Sequence, residues 1–272
     1  GLEGALIAAL FTAIGSVALV LQMRAREIEM AEPQCRWSAK VKAAVVTWKD
    51  PAIFLLSGTN VTFGFAAAFM NGYVNANYTS KQLGSFAVAM LAAFTALTAA
   101  VLSRLFGPLS VAIGKGPLVV LGAACFACIP LCTFVLGCCD GWGWWLIVLY
   151  VFQGTGRAVY ESTNKGVFSD FFPQPADSVG AFANVMLQTT MSFALCFFLS
   201  DNLSGRTPGY IVTALAVLTP LGYLAAVQLR RSQRLREDAR LLPGCGGTTA
   251  VPIPTASASA DGAASRVGHG PK

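Results

Sequence analysis

Long apolar runs separated by short polar stretches are the main pattern along this sequence. Seven runs are 19 to 23 residues long and contain few charged side chains. A helix needs about 20 residues to cross the hydrocarbon core of a bilayer. A soluble helix bundle would need polar stripes along its helices, and most of these runs have none. The pattern therefore predicts seven membrane-spanning helices: 2–23, 51–73, 82–103, 117–137, 142–160, 179–200 and 209–229.

The composition agrees with this prediction. Only 12% of the residues are charged and 55% are hydrophobic, whereas soluble domains are about 25% charged. The single histidine, His269, lies in the C-terminal tail, which excludes histidine-based metal sites and serine–histidine or cysteine–histidine nucleophiles. We therefore expect an all-α, polytopic membrane helix bundle that is not an enzyme and has no catalytic residues, no metal site and no cofactor.

Basic residues predict the orientation of the chain. If the first span runs from outside to inside, the cytoplasmic segments hold 16 of the 19 Lys and Arg residues, and the outside loops hold two. Cytoplasmic loops carry such an excess. The net charge of +6 then reflects topology and contact with the lipid bilayer, not nucleic-acid binding. Asn77 and Asn202 begin glycosylation sequons in predicted outside loops, which predicts a glycoprotein.

The chain divides into four predicted parts. Residues 1–23 form a transmembrane helix, residues 24–50 a cytoplasmic loop, and residues 51–229 six further spans. Residues 230–272 form a basic juxtamembrane segment followed by a disordered cytoplasmic tail, because a tail rich in Gly, Ala, Ser, Thr and Pro buries too little surface to fold. Since the chain has no initiator Met and begins within a hydrophobic span, we interpret Gly1 as the start of a fragment.

A polar ladder runs along the inner half of the fifth predicted span. Its members are four residues apart and share one face of a helix: Gln153, Arg157, Glu161 and Lys165. Counted from Trp144 at about 1.5 Å per residue, Arg157 lies roughly 20 Å into the hydrocarbon. An unpaired charge there costs several kcal/mol, so Glu161 is the expected partner. Two interpretations stay open: an ion network that pins helix ends together, or a gate whose pairing changes.

Amide side chains occur within other predicted spans. Asn60 lies in the second span, and Asn184 and Gln188 lie four residues apart in the sixth. Intramembrane amides face the bundle interior, either as hydrogen bonds between helices or as the lining of a solute cavity. These three residues, with Gln153, are the candidates for cavity lining. Gly154 and Gly156 are expected to let another helix approach closely.

The sequence resembles a known family in a series of segments around the polar ladder. They are Gly154-Thr155-Gly156-Arg157, Asn164-Lys165, Phe171-Phe172-Pro173 and Gly180-Ala181-Phe182-Ala183-Asn184. With a long loop after the first span and six spans beyond it, these segments are similar to the tenth and eleventh helices of the UNC-93-like branch of the major facilitator superfamily. The loop motif of that superfamily is degenerate here, because Ser103-Arg104-Leu105-Phe106-Gly107 lacks an acidic residue before Arg104.

The resemblance implies a fold of two six-helix halves with a cavity between them at the bilayer midplane. This chain would supply one major-facilitator-type half plus one preceding helix, and a missing N-terminal six-helix half would be its partner. The branch implies transmembrane transport of a solute whose identity is open. The alternative is a non-transporting membrane adaptor that regulates an ion channel or receptor.

A seven-helix receptor is a further alternative, because seven spans with an outside N-terminus fit that class. The sequence lacks the Asp-Arg-Tyr-like triplet and the Asn-Pro-x-x-Tyr motif typical of such receptors. The expected location is an integral membrane, with the choice between the plasma membrane and an endolysosomal membrane left open.

Overall fold

The computed structural model describes residues 37–134, 139–200 and 206–241, together with Ile14 and Val17. Every regular element in this part of the chain is a helix, as predicted. Its α-helices are α1 Trp37–Thr47, α2 Ala52–Phe69, α3 Ser80–Ile113, α4 Lys115–Phe134, α5 Ile147–Val159, α6 Lys165–Phe171, α7 Pro175–Ser200 and α8 Thr207–Leu241. Two π-helical segments, π1 (Met70–Thr79) and π2 (Tyr160–Asn164), and a 3-10 turn, Gly143–Leu146, complete the set.

Several of these helices are able to cross a membrane. By length and composition, four stretches of the described residues qualify: Ala52–Ile113, Lys115–Phe134, Asp177–Leu199 and Thr207–Arg236. The first is 62 residues long, which is far more than the roughly 20 residues of one crossing. It is interrupted at Gly84, whose φ of 83° and ψ of 169° are not helical. The protein is therefore an integral membrane protein with several membrane-spanning helices.

The helices differ from the predicted spans mainly at their ends. The predicted outside loop 74–81 is helical, because π1 joins α2 to α3, and α3 continues through most of the predicted loop 104–116. The predicted span 142–160 starts as a 3-10 turn and ends in π2. Hydropathy marks where the bilayer ends, but a helix keeps its internal hydrogen bonds in water and extends beyond that level. The predicted span 2–23 lies outside the described residues except for Ile14 and Val17, which are helical.

Two predicted polar segments also contain helix. Helix α1 occupies part of the predicted loop 24–50, and α8 extends past residue 229. By its internal contacts the chain separates into two units, Gly1–Ser232 and Gln233–Lys272. The described part of the second unit is the helical stretch from Gln233 to Leu241. The division of the chain into four parts stays a prediction.

Hydrogen bonds between helices show how the first unit is arranged. Thr95 Oγ1 of α3 donates to the carbonyl of Tyr150 at 3.3 Å, and Ser103 Oγ donates to the carbonyl of Ala158 at 3.4 Å. Helices α3 and α5 therefore run in the same direction. Helix α4 packs on the other side of α5, and helix α2 packs along α7.

The two ends of this bundle differ in chemistry. One end, called the polar end, holds the ion pairs Lys115–Asp170 and Arg230–Asp50. The other, called the aromatic end, holds neighbouring rings: Phe69, Tyr73, Tyr78, Phe134 and Tyr210. Between the ends, the outside of the bundle is apolar, and Leu97, Val120 and Met191 expose 61%, 51% and 63% of their surface. Exposed apolar surface of this kind suits a lipid environment.

Candidate functional site

Helix α5 is the element that positions the polar ladder. Gly154 and Gly156 let two neighbours approach it, as expected: a Cβ at Gly154 would lie 2.8 Å from Cβ of Thr98 on α3, and one at Gly156 would overlap the ring of Phe126 on α4. The remaining interior side of α5 and π2 faces α2 and α7, where Tyr160 and Asn164 find their partners. The site is therefore framed by α2, α5, π2 and α7.

An ion pair occupies the centre of the ladder. Arg157 Nε donates to Glu161 Oε1 at 2.7 Å, and the two side chains are 40% and 34% exposed. This is the pairing that the four-residue spacing indicated. Both flanking positions differ: Gln153 is only 5% exposed, and its Oε1 has no hydrogen-bond partner. Lys165 is half-buried and takes part in none of the ion pairs between described residues.

The π2 segment accounts for the change along the ladder between Arg157 and Lys165. It begins at Tyr160, between Arg157 and Lys165. A π-helical turn holds more residues than an α-helical turn, so positions before and after it no longer follow one regular face. No pattern in the sequence indicates this change, because the residues of π2 are compatible with an α-helix. The gating role proposed for the ladder stays a prediction.

Three amides meet between π2, α2 and α7, and we call them the amide bridge: Asn60, Asn164 and Gln188. Asn164 Nδ2 donates to Asn60 Oδ1 at 2.8 Å, and Asn60 Nδ2 donates to Gln188 Oε1 at 2.7 Å. Asn60 and Asn164 are 0% and 2% exposed. The structure thus brings together the predicted residues Asn60 and Gln188 as a contact between helices. Asn164 was missed, because its contact with Asn60 joins residues 104 positions apart.

Tyr160 connects the ion pair to the amide bridge. Its hydroxyl lies 2.9 Å from Thr189 Oγ1 on α7, and its ring stacks on Phe63 of α2 with centroids 4.1 Å apart. Thr189 Oγ1 in turn donates to the backbone carbonyl of Asn60 at 3.4 Å. Because Tyr160 directly precedes Glu161, a movement of the ion pair would also displace the contacts of Tyr160 with α2 and α7. We call the ion pair, Tyr160, Thr189 and the amide bridge together the polar seam.

Asn184 does not belong to this seam. Its Oδ1 accepts a hydrogen bond from Trp48 Nε1 at 2.5 Å, and its Nδ2 donates to the carbonyls of Ala44 and Gly180, each at 2.9 Å. Asn184 therefore attaches α1 to α7. A separate crevice is mostly apolar, although Thr59, Thr62 and Thr219 contribute to its lining. The polar seam is therefore the candidate site.

Known proteins are similar to this chain in sequence. The chain is 29% identical to protein unc-93 homolog A of Mus musculus over 70% of the chain and 41% of that protein. It is 25% identical to the Xenopus laevis protein of the same name, over 78% of the chain and 48% of the relative. For the Danio rerio protein the identity is 27% over 65% of the chain and 37% of the relative. The chain is UNC-93-like.

The matches with these relatives cover only part of each relative's length. The chain spans less than half the length of each of these three relatives. No family model matches the sequence, and no solved structure matches it. The UNC-93-like relationship predicted from the ladder segments is confirmed, whereas membership of the major facilitator superfamily stays a prediction.

The polar end of this UNC-93-like chain holds α6 in place from two sides. Lys115 Nζ, at the start of α4, donates to the carbonyl of Gly166 at 2.8 Å and to Asp170 Oδ2 at 2.5 Å. Arg230 of α8 donates to the carbonyl of Phe171, and its guanidinium lies 5.5 Å from the centroid of that ring. Because α6 follows π2 directly, these contacts anchor the part of the polar seam that lies nearest the polar end.

Other predicted positions in this UNC-93-like chain lie away from the seam. Asn77 is in π1, where its Nδ2 donates to the carbonyl of Tyr73 at 3.1 Å. Asn202 and His269 lie outside the described residues. Glycosylation at either sequon stays a prediction. Among the residues that the structure describes, no group of three His, Cys, Asp or Glu side chains is placed to hold a metal ion.

Proposed function

We propose that the full-length protein is a solute transporter of the major facilitator type and that this chain forms one of its halves. The observation that carries the proposal is the exposure of the Arg157–Glu161 pair, at 40% and 34%, on a helix whose neighbours Gln153 and Tyr160 are buried. A charged group in contact with lipid costs several kcal/mol. This side of α5 is therefore expected to face a polar space inside a larger protein.

The contacts around the pair support a site that changes during transport. The pair is linked through Tyr160 and Thr189 to α7, and through the amide bridge to α2. Facilitators bind their solute near the bilayer midplane between two halves. The relatives are more than twice as long as their matched regions, which leaves room in the full-length protein for the second, N-terminal half. The missing half is thus the first expected partner.

The test is solute uptake by proteoliposomes that contain the full-length protein. Radiolabelled glucose, glutamate, adenosine and choline represent neutral, anionic, nucleoside and cationic solutes. Uptake of at least one solute is expected, and Arg157→Ala or Glu161→Gln should lower it about tenfold or more, which corresponds to about 1.4 kcal/mol. Lys81→Gln is the control, because Lys81 is an exposed charge next to the aromatic-end segment π1. Equal losses in all three variants would contradict the proposed site.

The second candidate is a membrane adaptor that binds a channel or receptor through its helices. The same exposed ion pair favours it, because an intramembrane charge is also a contact for a polar residue on a partner helix. Absence of uptake for every solute, together with a membrane protein that co-purifies with the wild type and is lost with Arg157→Ala, would establish the adaptor. Retained co-purification in that variant would separate the partner surface from the polar seam.

A further inference from the structure

Helix α1 and the turn that follows it carry a row of apolar side chains that the described helices cover only in part. Val41, Val45 and Trp48 expose 61%, 51% and 47% of their surface. Spacings of four and three residues place them on one side of the helix and its following turn. Thr47, about a third of a turn from this row, is buried and donates to the carbonyl of Ala43 at 2.7 Å, whereas Val46, farther round the helix, is 45% exposed. We call the three exposed residues the α1 stripe.

Contacts with α7 fix the direction in which the α1 stripe points. Trp48 Nε1 donates to Asn184 Oδ1 at 2.5 Å, and Asn184 Nδ2 returns a hydrogen bond to the carbonyl of Ala44 at 2.9 Å. A Cβ at Gly180 would overlap Thr47, so α1 and α7 are in close contact. The helix is therefore not free to rotate its valines into the bundle.

The α1 stripe lies beside a concentration of positive charge. Residues 36–49 contain four Lys or Arg and no Asp or Glu, and both Lys42 and Lys49 are exposed. The next acidic residue is Asp50, whose Oδ2 lies 3.9 Å from Nη1 of Arg230. Its negative charge therefore already faces a cation. An exposed apolar row with adjacent cations is complementary to an anionic lipid surface and not to a neutral one.

The height of α1 along the bundle agrees with a membrane surface. Its contacts on α7 are Gly180 and Asn184, close to the start of the apolar stretch Asp177–Leu199. The nearby ion pair of Asp50 with Arg230 belongs to the polar end. The α1 stripe thus lies at the level where the polar end meets the apolar side of the bundle.

We propose that α1 is an interfacial helix that binds anionic phospholipids in the leaflet at the polar end. Val41 and Val45 insert at the boundary of headgroups and acyl chains, as the apolar face of such helices does. Trp48 lies at the headgroup level that tryptophan prefers. Lys42 and Lys49 contact lipid phosphates.

Insertion is tested by fluorescence quenching in nanodiscs that contain the full-length protein. Val45→Trp adds an indole at an exposed position while the Trp48–Asn184 hydrogen bond stays intact. The difference in fluorescence between this variant and the wild type therefore comes from the added indole. Brominated phosphatidylcholine is expected to quench it, whereas aqueous iodide should not. Quenching by iodide alone would overturn the insertion. Resistance to both quenchers would show that another part of the protein or a second copy covers the stripe, which also overturns it.

The charge requirement is tested with the headgroup of the quencher. Brominated phosphatidylglycerol at a low, equal share should quench the indole more strongly than brominated phosphatidylcholine, since each lysine beside an anionic surface raises affinity roughly fivefold. Lys42→Gln with Lys49→Gln should reduce that preference to about one. Arg104→Gln, which removes an exposed cation from α3, should leave it unchanged. The proposal would be contradicted if the Val45→Trp protein showed no preference for brominated phosphatidylglycerol, or if Arg104→Gln reduced that preference as much as the two lysine substitutions do.

A measurement on the native Trp48 provides a second, independent reading of the environment of the α1 stripe. The Trp48 signal, taken as the difference between wild type and Trp48→Phe, should show the same quenching by brominated lipid. If Val45→Trp and Trp48 report opposite environments, α1 does not lie in the interface.

Discussion

The two π-helical segments lie at opposite ends of the bundle and are held by different chemistry. At the aromatic end, the Tyr150 hydroxyl of α5 hydrogen-bonds to Asn75 Oδ1 at 2.5 Å and Thr79 Oγ1 at 2.8 Å of π1. Rings surround this contact, and Tyr73 stacks on Phe69 with centroids 5.2 Å apart. At the polar end, π2 is held by the amide bridge.

The difference between the two segments indicates which end of the bundle is prepared to change. Tyr150 is 2% exposed, and the neighbouring apolar rings keep water from competing for its hydrogen bonds. Asn60 and Asn164 of the amide bridge are also buried, but the bridge connects through Tyr160 to the half-exposed Arg157–Glu161 pair. Water or a solute that reaches the pair therefore has a route to the partners of π2.

The largest effect is expected at the amide bridge. Asn60→Leu leaves Asn164 Nδ2 and Gln188 Oε1 without their partner, and each buried unpaired group costs about 1–3 kcal/mol. Because bonds between membrane helices are weaker on average, we expect a loss of about 2 kcal/mol in unfolding free energy. The measurement is equilibrium unfolding in mixed micelles. Asn71→Leu, at an exposed amide in π1, is the matched control, and an equal loss there would show that Asn60 has no special role.

A smaller effect is expected at the aromatic end. Tyr150→Phe keeps the ring and removes only the hydroxyl that contacts Asn75 and Thr79. We expect a loss of about 1 kcal/mol and faster hydrogen exchange confined to π1, measured by mass spectrometry. Tyr210→Phe is the control, because the Tyr210 side chain is 60% exposed. Exchange that also increases in π2 would show that the two segments are coupled, against the comparison drawn above.

The smallest effect on stability is expected for the ion pair. Partly exposed pairs contribute about 0–1 kcal/mol, and the Arg157–Glu161 side chains are 40% and 34% exposed. A double-mutant cycle with Arg157→Gln and Glu161→Gln should therefore give a coupling below about 1 kcal/mol, while either variant lowers uptake strongly. A coupling of about 3 kcal/mol or more with unchanged uptake would instead support the interpretation of the pair as a structural pin.

The sequence alone predicted the parts of this fold that depend on local composition. Runs such as 51–73 and 179–200 were visible because crossing a bilayer requires about 20 apolar residues. The contact of Arg157 with Glu161 followed from helical spacing, and the close approaches at Gly154 and Gly156 followed from the missing side chains. The apolar runs and the ion pair depend on residues that are close together in the chain, whereas the two glycines predicted a close approach without indicating which helix makes it.

The features that escaped prediction depend on tertiary contacts. The side chain of Asn184 contacts α1, because α1 packs on that face of α7, and the sequence does not indicate this partner. Helices that are apolar all round do not reveal in their sequence which face meets which neighbour. The π2 segment and the role of Asn164 were missed for a related reason, since the contact with Asn60 joins residues 104 positions apart.

The break at Gly84 has a consequence for how the first two crossings are arranged. A side chain there would meet no atom within 4 Å, so the obstacle to substitution is the backbone conformation itself, with its φ of 83°. An L-residue in such a conformation costs about 1–3 kcal/mol. The backbone conformation of this one glycine therefore sets the direction of the rest of α3 in the lipid. An added methyl group would change that direction through the backbone alone, without contacting any neighbouring residue.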